Sequence, residues 1–163
     1  MKRTIIILLV LSMVMSFCAC SKNTENLEAP ATFYYLQPMD ALDLSKNVLQ
    51  SEIRETTHLH GQLEEILNVY LAGPVSDAYV SPFPADVFVL SAEQYETKVV
   101  VTLSKMFSQL EGYERSIGNI CLAMTVLVLT GCEEVVLTTN GEPDSVTITR
   151  ELLYLMDQNH ADP

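Results

Sequence analysis

The segment LEEILNVYLAGP, residues 63–74, carries the clearest structural signal in this chain. Its apolar residues recur at the i, i+3, i+4, i+7 spacing of one helix face: Leu63, Ile66, Leu67 and Tyr70. Glu64 and Glu65 stand early, where negative charge stabilises the positive end of the helix dipole. Gly73 favours a helix C-terminus, and the proline after it prevents continuation. We therefore predict a helix over residues 62–72.

Strand patterns lie on both sides of this helix. Before it, residues 32–37 are rich in aromatic side chains, and residues 47–55 alternate between two sets of side chains. After it, residues 86–91 and 98–103 are apolar on both faces, so at least one of these strands should lie centrally in a covered sheet. Residues 93–97 between them are predicted to form a hairpin turn.

The C-terminal half predicts two more helices and two more strands. Ser104 is expected to cap a short helix that runs to Gln109, and a longer helix follows from Tyr113 to about Gly131. The apolar stripe expected to face the core on this longer helix is Ile117, Ile120, Cys121, Met124 and Val128. Residues 134–139 and 145–149 are predicted strands, Asn140 and Gly141 a turn, and residues 151–156 a last helical turn. The order predicts an α/β (α+β) fold, in which helices pack on a small mixed sheet.

The N-terminus has the layout of a secretory signal. Lys2 and Arg3 precede an apolar run over residues 5–17, which is shorter than the roughly 20 residues of a membrane-spanning helix. The run ends in Phe-Cys-Ala-Cys-Ser, which resembles the lipobox of bacterial lipoproteins. Cys20 fits the acylated position better than Cys18, because a small alanine precedes it. We predict a lipoprotein signal peptide over residues 1–19 and a lipid-anchored tether over residues 20–31; an uncleaved membrane anchor or a simple secreted protein are the alternatives.

Composition excludes some partners. The formal net charge is −12, and a surface of this sign repels phosphate backbones, so no nucleic-acid partner is expected. Export permits a disulfide between Cys121 and Cys132. The first lies in an apolar helical pattern and the second follows a turn, so we expect free thiols.

Candidate catalytic and metal-binding residues are few. His58 and His60 lie two apart and, with Glu64 or Glu65, are the only candidate metal ligands, but residues at this spacing do not share a helix face. His160 lies in the predicted tail, and no nucleophile stands in a recognisable motif with a base. We predict no enzyme activity, no metal and no cofactor. Of the tyrosines, Tyr79 is the expected exposed contact residue.

Ordered segments of the chain resemble one family. The segments that carry the resemblance are Phe33–Leu36, Leu63–Pro74, Pro82–Asp86, Leu103–Phe107, Glu114–Thr130 and Glu134–Gly141. Together they look like the GerM-type domain of sporulation and spore germination proteins, over about residues 31–152. Accordingly, we predict a single such domain over residues 32–155 and a tail over residues 156–163.

The resemblance implies a non-catalytic module. Members are lipoproteins or membrane-attached proteins of spore-forming bacteria, and their fold is similar to the ring-building motifs of secretion assemblies. The expected function is therefore that of an envelope lipoprotein, anchored on the extracytoplasmic face of the cell membrane, that binds or positions an envelope or membrane protein during sporulation or germination. The alternative is a small-ligand-binding lipoprotein of a transporter or sensor.

Overall fold

The computed structural model describes residues 30–38, 48–55 and 62–153. Its elements, in chain order, are β1 Ala31–Leu36, β2 Leu49–Arg54, α1 Leu63–Leu71, β3 Val89–Gln94, β4 Lys98–Leu103, a 3-10 helix Lys105–Gln109, α2 Gly112–Thr130, β5 Glu134–Thr139 and β6 Ser145–Thr149. Residues 150–153 are again helical. The predicted mixed α+β class is confirmed, and β4, β5 and β6 have the predicted bounds.

The strands divide into two sheets. β1 and β2 form an antiparallel pair, and the other strands form a four-stranded sheet in the order β3-β4-β5-β6. β4 and β5 are parallel, because the chain crosses from one to the other through α2, and the remaining neighbours are antiparallel. β4 is therefore central, as its apolar pattern predicts, and Val99, Val101 and Leu103 are fully buried.

α2 lies between the two sheets and contacts β1, β5 and β6. It covers one face of the four-stranded sheet, where Val135 and Leu137 of β5 are buried beside the inward residues of β4. On the opposite face Val100 and Val136 are only half-buried. Apolar side chains thus alternate between a closed and a more open face, as the pleat of a strand requires.

Two local expectations are wrong. β3 begins at Val89 and continues to Gln94, so the predicted hairpin turn shortens, with the Tyr95 N–H donating to the Lys98 carbonyl at 2.8 Å. Ser104 stands before the 3-10 helix but makes no side-chain cap. Its hydroxyl instead accepts the Phe88 N–H at 3.2 Å, because the chain entering β3 passes close to the end of β4.

Candidate functional site

The outer side of α2 is an uncharged apolar surface on an acidic protein. From Ser116 to Cys132 the sequence holds no charged residue, although the formal net charge of the chain is −12. A helix that is apolar on all sides is normally buried on all sides. α2 is not: Tyr113 and Val128 are exposed, and Ile120 and Met124 between them are partly exposed. We refer to these four side chains as the outer stripe: Tyr113, Ile120, Met124 and Val128.

The structure buries a different face of α2 from the one that the sequence pattern predicts. Of the side chains expected to face the core, only Cys121 is fully buried. Val128 is 47% exposed and Ile120 and Met124 are half-buried, while Ile117 is partly buried and packs against the core as expected. At the start of the row Tyr113 is 74% exposed. The buried residues of α2 are Gly118, Asn119, Cys121, Leu122, Ala123, Thr125, Val126 and Leu127.

Small and polar groups fix this orientation of α2. The Tyr34 N–H, on the side of β1 away from β2, donates to the Thr125 hydroxyl at 3.0 Å. A Cβ atom at Gly118 would lie 3.2 Å from Cδ1 of Leu110, so the helix approaches its neighbours closely at this point. Rotation of α2 to bury the outer stripe would break the first contact and place larger side chains at the second.

Arginine contacts hold both ends of α2. Near the N-terminus, Arg115 makes two hydrogen bonds to the Glu142 carboxylate, at 3.1 and 2.5 Å, and lies 5.3 Å above the Phe107 ring. The hydrogen bonding lowers the pKa of Glu142. At the other end, Nη2 of Arg150 donates to the carbonyls of Leu127 and Cys132, at 3.0 and 2.8 Å. Positive charge near the C-terminal carbonyls stabilises a helix end, so α2 presents its outer stripe on a fixed element.

Chemically, the outer stripe can bind by burial of apolar surface. Full burial of an aliphatic side chain contributes roughly 1.5–3 kcal/mol. Apart from the Tyr113 hydroxyl, the row carries no ionisable or nucleophilic side chain. It therefore supports association through apolar contact.

A second cluster, absent from the sequence-based expectations, joins the β1–β2 pair to α1. Nη2 of Arg54 donates to the Tyr35 hydroxyl at 2.9 Å and to the Gly73 carbonyl at 2.8 Å, and Nε donates to Glu52 at 2.6 Å. Glu52 also accepts the N–H groups of Val75 and Ser76, at 3.1 and 2.9 Å. The guanidinium lies 5.0 Å from the centre of the Phe33 ring.

This cluster is structural. Burial raises the pKa of Tyr35 to about 12, although the Arg54 charge and the neighbouring Glu52 act on it in opposite directions. Glu52 is buried, and its oxygens are already engaged by a cation and two backbone donors. The alternation of residues 47–55 offered the signal for it: the polar set that includes Glu52 faces the core, while Ile53 is 69% exposed.

The other residues predicted from the sequence to form a site either lie outside the residues that the structure describes or are partly buried. Cys20, His58, His60 and His160 lie outside the described residues, as does the predicted signal peptide. The expectation that Tyr79 is the exposed tyrosine is wrong, because it is half-buried against the core. Within residues 30–38, 48–55 and 62–153, His, Cys, Asp and Glu side chains form no group that could hold a metal ion.

The thiols match their prediction. Cys121 and Cys132 are free and buried. Burial raises the pKa of Cys121 to about 12, so its thiol is protonated and is a poor nucleophile at neutral pH. None of the helices in the described part of the chain has the length and apolar character needed to span a membrane.

Comparisons with known proteins agree with this geometry. The model of a family described as "Germane: Sporulation and spore germination" matches residues 32–145. The first GerMN domain of the sporulation protein GerM from Bacillus subtilis is similar in structure, with a TM-score of 0.53, 17% identity, and coverage of 76% of this chain and 98% of that one. The tandem GerMN domains of the same protein give a TM-score of 0.52 at 17% identity, covering 74% of this chain. The match spans only 44% of the tandem structure. No curated protein sequence matches the chain.

Proposed function

This chain belongs to the Germane family of sporulation and spore germination proteins, and on that basis we propose that it is a non-catalytic docking module of the cell envelope. In this proposal Cys20 carries a lipid that holds the domain on the extracytoplasmic face of the membrane. The domain then binds another protein through the outer stripe of α2 during sporulation or germination.

The observation that carries the proposal is the contrast between the outer stripe and the rest of the molecule. An acidic protein keeps its surface soluble through charge, yet it leaves a row of apolar side chains uncharged and partly open on a rigid helix. Apolar side chains that stay partly exposed on one side of a helix are a feature of interaction sites on protein surfaces. The proposed lipid anchor supports the same function, since confinement at a membrane raises the effective concentration of the domain for a membrane partner.

Complementation of a deletion strain in a spore-forming host tests the proposal. Ile120→Asp and Met124→Asp place a charge in the outer stripe and are expected to reduce spore yield or germination. Val69→Asp is the matched control, because Val69 is an exposed valine on α1, away from the stripe. Protein level and protease resistance in membrane fractions establish that each variant is folded.

Two results would contradict the proposal. If both stripe variants complement as well as the wild type, the outer stripe is not the docking surface. Normal sporulation and germination of the deletion strain would show that the protein is needed for neither process, although the family assignment would stand. Cys20→Ala tests the anchor separately, and it should weaken complementation while leaving the stripe unchanged.

A further inference from the structure

We propose that the outer edge of β2 is a second docking site, which binds an extended segment of another protein in which lysine or arginine residues flank an apolar stretch. The bound segment continues the β1–β2 sheet by one strand. This site is separate from the outer stripe, because it lies on β2 and acts through main-chain groups. Three observations support it: the free edge of β2, the closure of the edge of β1, and the side chains and charge along β2.

The pairing register decides which main-chain groups of β2 are free. The Gln37 N–H donates to the Val48 carbonyl at 3.0 Å, so the bonded positions of β2 are Val48 and every second residue after it. In an antiparallel pair the residues between these positions point their N–H and C=O groups away from the partner strand. These residues are Leu49, Ser51 and Ile53. Among the described residues, none bonds to their main chain.

The outer edge of β1, by contrast, is occupied at two successive outward positions. The Leu36 N–H donates to the Val80 carbonyl at 3.0 Å, and the Val80 N–H donates back at 2.9 Å. The Tyr34 N–H donates to the Thr125 hydroxyl, and the Tyr34 carbonyl accepts the Tyr70 hydroxyl at 2.7 Å. An open strand edge can pair with other chains, and proteins usually cover it. Three separate segments cover the edge of β1, and in the described part of the chain nothing equivalent covers β2.

The two edges of the four-stranded sheet are less suited to an added strand. The Asn68 side chain bonds both the N–H and the carbonyl of Val89 in β3, at 2.8 and 3.4 Å. A bulge between Val89 and Ser91 follows, and bulges hinder pairing with a further strand. At the other edge, β6 has only five residues, and the helix after it begins at residue 150. β6 is therefore the shorter alternative, and it provides the control below.

The side chains along β2 define the class of segment that fits. Ile53 is 69% exposed, Ser51 is exposed and Leu49 is half-buried, and alternation places all three on one side of the sheet. The charged residues between and after them face the opposite side, so this row suits apolar side chains of an added strand. Glu55, which is exposed, follows β2, and the formal net charge of the chain is −12. Basic residues that flank the bound segment therefore meet a negative potential. In this mode of recognition main-chain hydrogen bonds give affinity and side chains give specificity.

Hydrogen–deuterium exchange of the full chain, purified from membranes in detergent, tests whether the edge is free. The amides of Leu49, Ser51 and Ile53 should exchange fast. Those of Gln50 and Glu52 bond to β1 and should exchange slowly. Slow exchange at all three outward amides would show that the chain itself covers the edge, and it would overturn the proposal.

A synthetic peptide tests binding at the edge. Its sequence, Lys-Val-Thr-Val-Thr-Val-Lys, reads the same in both directions, and N-methylation of both threonines leaves one edge able to pair. Exchange of an amide that is protected only in the complex slows by one plus the ratio of free peptide to Kd, or about tenfold at ten times Kd. This slowing is expected at Leu49, Ser51 and Ile53. A peptide N-methylated at all five internal residues should have no effect, and one with glutamate at both ends should bind more weakly.

Proline variants locate the site. Ser51→Pro removes the central outward N–H of β2 and leaves the bonds of its neighbours to β1, so it should abolish the slowing. Thr147→Pro is the matched control on β6. The Arg150 N–H donates to the Glu133 carbonyl at 2.9 Å, so in this register Thr147 also points its N–H outward. Slow exchange at Val101 of the central strand β4 verifies that each variant is folded.

The outcomes separate a docking edge from chance association. Slowing that is confined to β2 and lost in Ser51→Pro supports the proposal; if that variant does not fold, the fully N-methylated peptide removes the same bonds from the other side. The absence of slowing at millimolar peptide overturns the proposal, as does slowing that is lost in Thr147→Pro but kept in Ser51→Pro. Equal binding of the lysine-ended and glutamate-ended peptides would overturn the basic class of partner. The outer stripe is tested separately, by complementation with Ile120→Asp.

Discussion

Replacement of Arg54 by methionine should strongly destabilise the fold. Methionine keeps much of the side-chain length but removes the hydrogen bonds to Tyr35, Gly73 and Glu52. It also leaves the buried Glu52 carboxylate without its cation. Removal of one member of a buried ion pair typically costs about 3–5 kcal/mol, because the remaining charge stays out of water. For a domain of this size that corresponds to a fall of roughly 10–20 °C in Tm.

The expected cost follows from burial and connectivity. Arg54 links β2 to β1 through Tyr35 and to the end of α1 through Gly73, so its loss loosens the junction of the β1–β2 sheet with α1. Lys105→Met is the control, because it also removes a positive charge but at an exposed position. Exposed charges contribute only about 0–1 kcal/mol through ion pairing, so this change should affect stability little.

Urea unfolding of the chain that starts at residue 20, with Cys20→Ala to prevent acylation, gives the measurement. Arg54→Met should lower the unfolding midpoint without changing the slope. The double variant Glu52→Gln/Arg54→Met should be more stable than Arg54→Met alone, because the buried carboxylate is gone while an amide oxygen still accepts the Val75 and Ser76 N–H groups. A cost for Arg54→Met below about 1 kcal/mol, similar to that of Lys105→Met, would refute the reasoning. So would a double variant that is less stable than Arg54→Met.

Three further predictions concern α2 and the N-terminus. Thr125→Val keeps the shape of the side chain but leaves the Tyr34 N–H without its acceptor, so it should cost about 1–3 kcal/mol in urea unfolding; a neutral effect would show that this bond does not position α2. The Cys121 thiol, whose pKa burial raises to about 12, should resist alkylation at pH 8 until urea unfolds the protein, and modification of the native protein at the rate of a free thiol would contradict its burial. Cys20→Ala should abolish incorporation of a labelled fatty acid and Cys18→Ala should not; label that persists in Cys20→Ala would exclude Cys20 as the anchor.

Local sequence was sufficient for most of the secondary structure. The bounds of β4, β5 and β6 were predictable because each is a short run rich in β-branched residues, and Asn140 and Gly141 mark the turn after β5. The helix after residue 62 was predictable from its spacing and from Gly73, which adopts a positive φ of 107° just beyond the helix. Gly131 ends α2 in the left-handed conformation, as a glycine at that position permits. Each of these features depends on neighbours within a few positions in the chain.

The direction in which side chains face was decided by contacts between distant segments. From Ile117 to Leu129 α2 has no charged residue and only two polar ones, Asn119 and Thr125, so its periodicity could not separate the core face from the outer stripe. Thr125 and Gly118 separate them, and their role is visible only when Tyr34 and Leu110 are beside them.

The same holds for the β1–β2 pair and its separation from the larger sheet. Sequence patterns identified both strands, but strand pairing is a choice among partners that local propensity does not make. The inward position of Glu52 and Arg54 also runs against the usual rule that charges face water. It becomes favourable only because the end of α1 brings the Gly73 carbonyl and the Val75 and Ser76 N–H groups within hydrogen-bonding distance. A buried charge is stable where the fold supplies its partners, and those partners come from segments remote in the sequence.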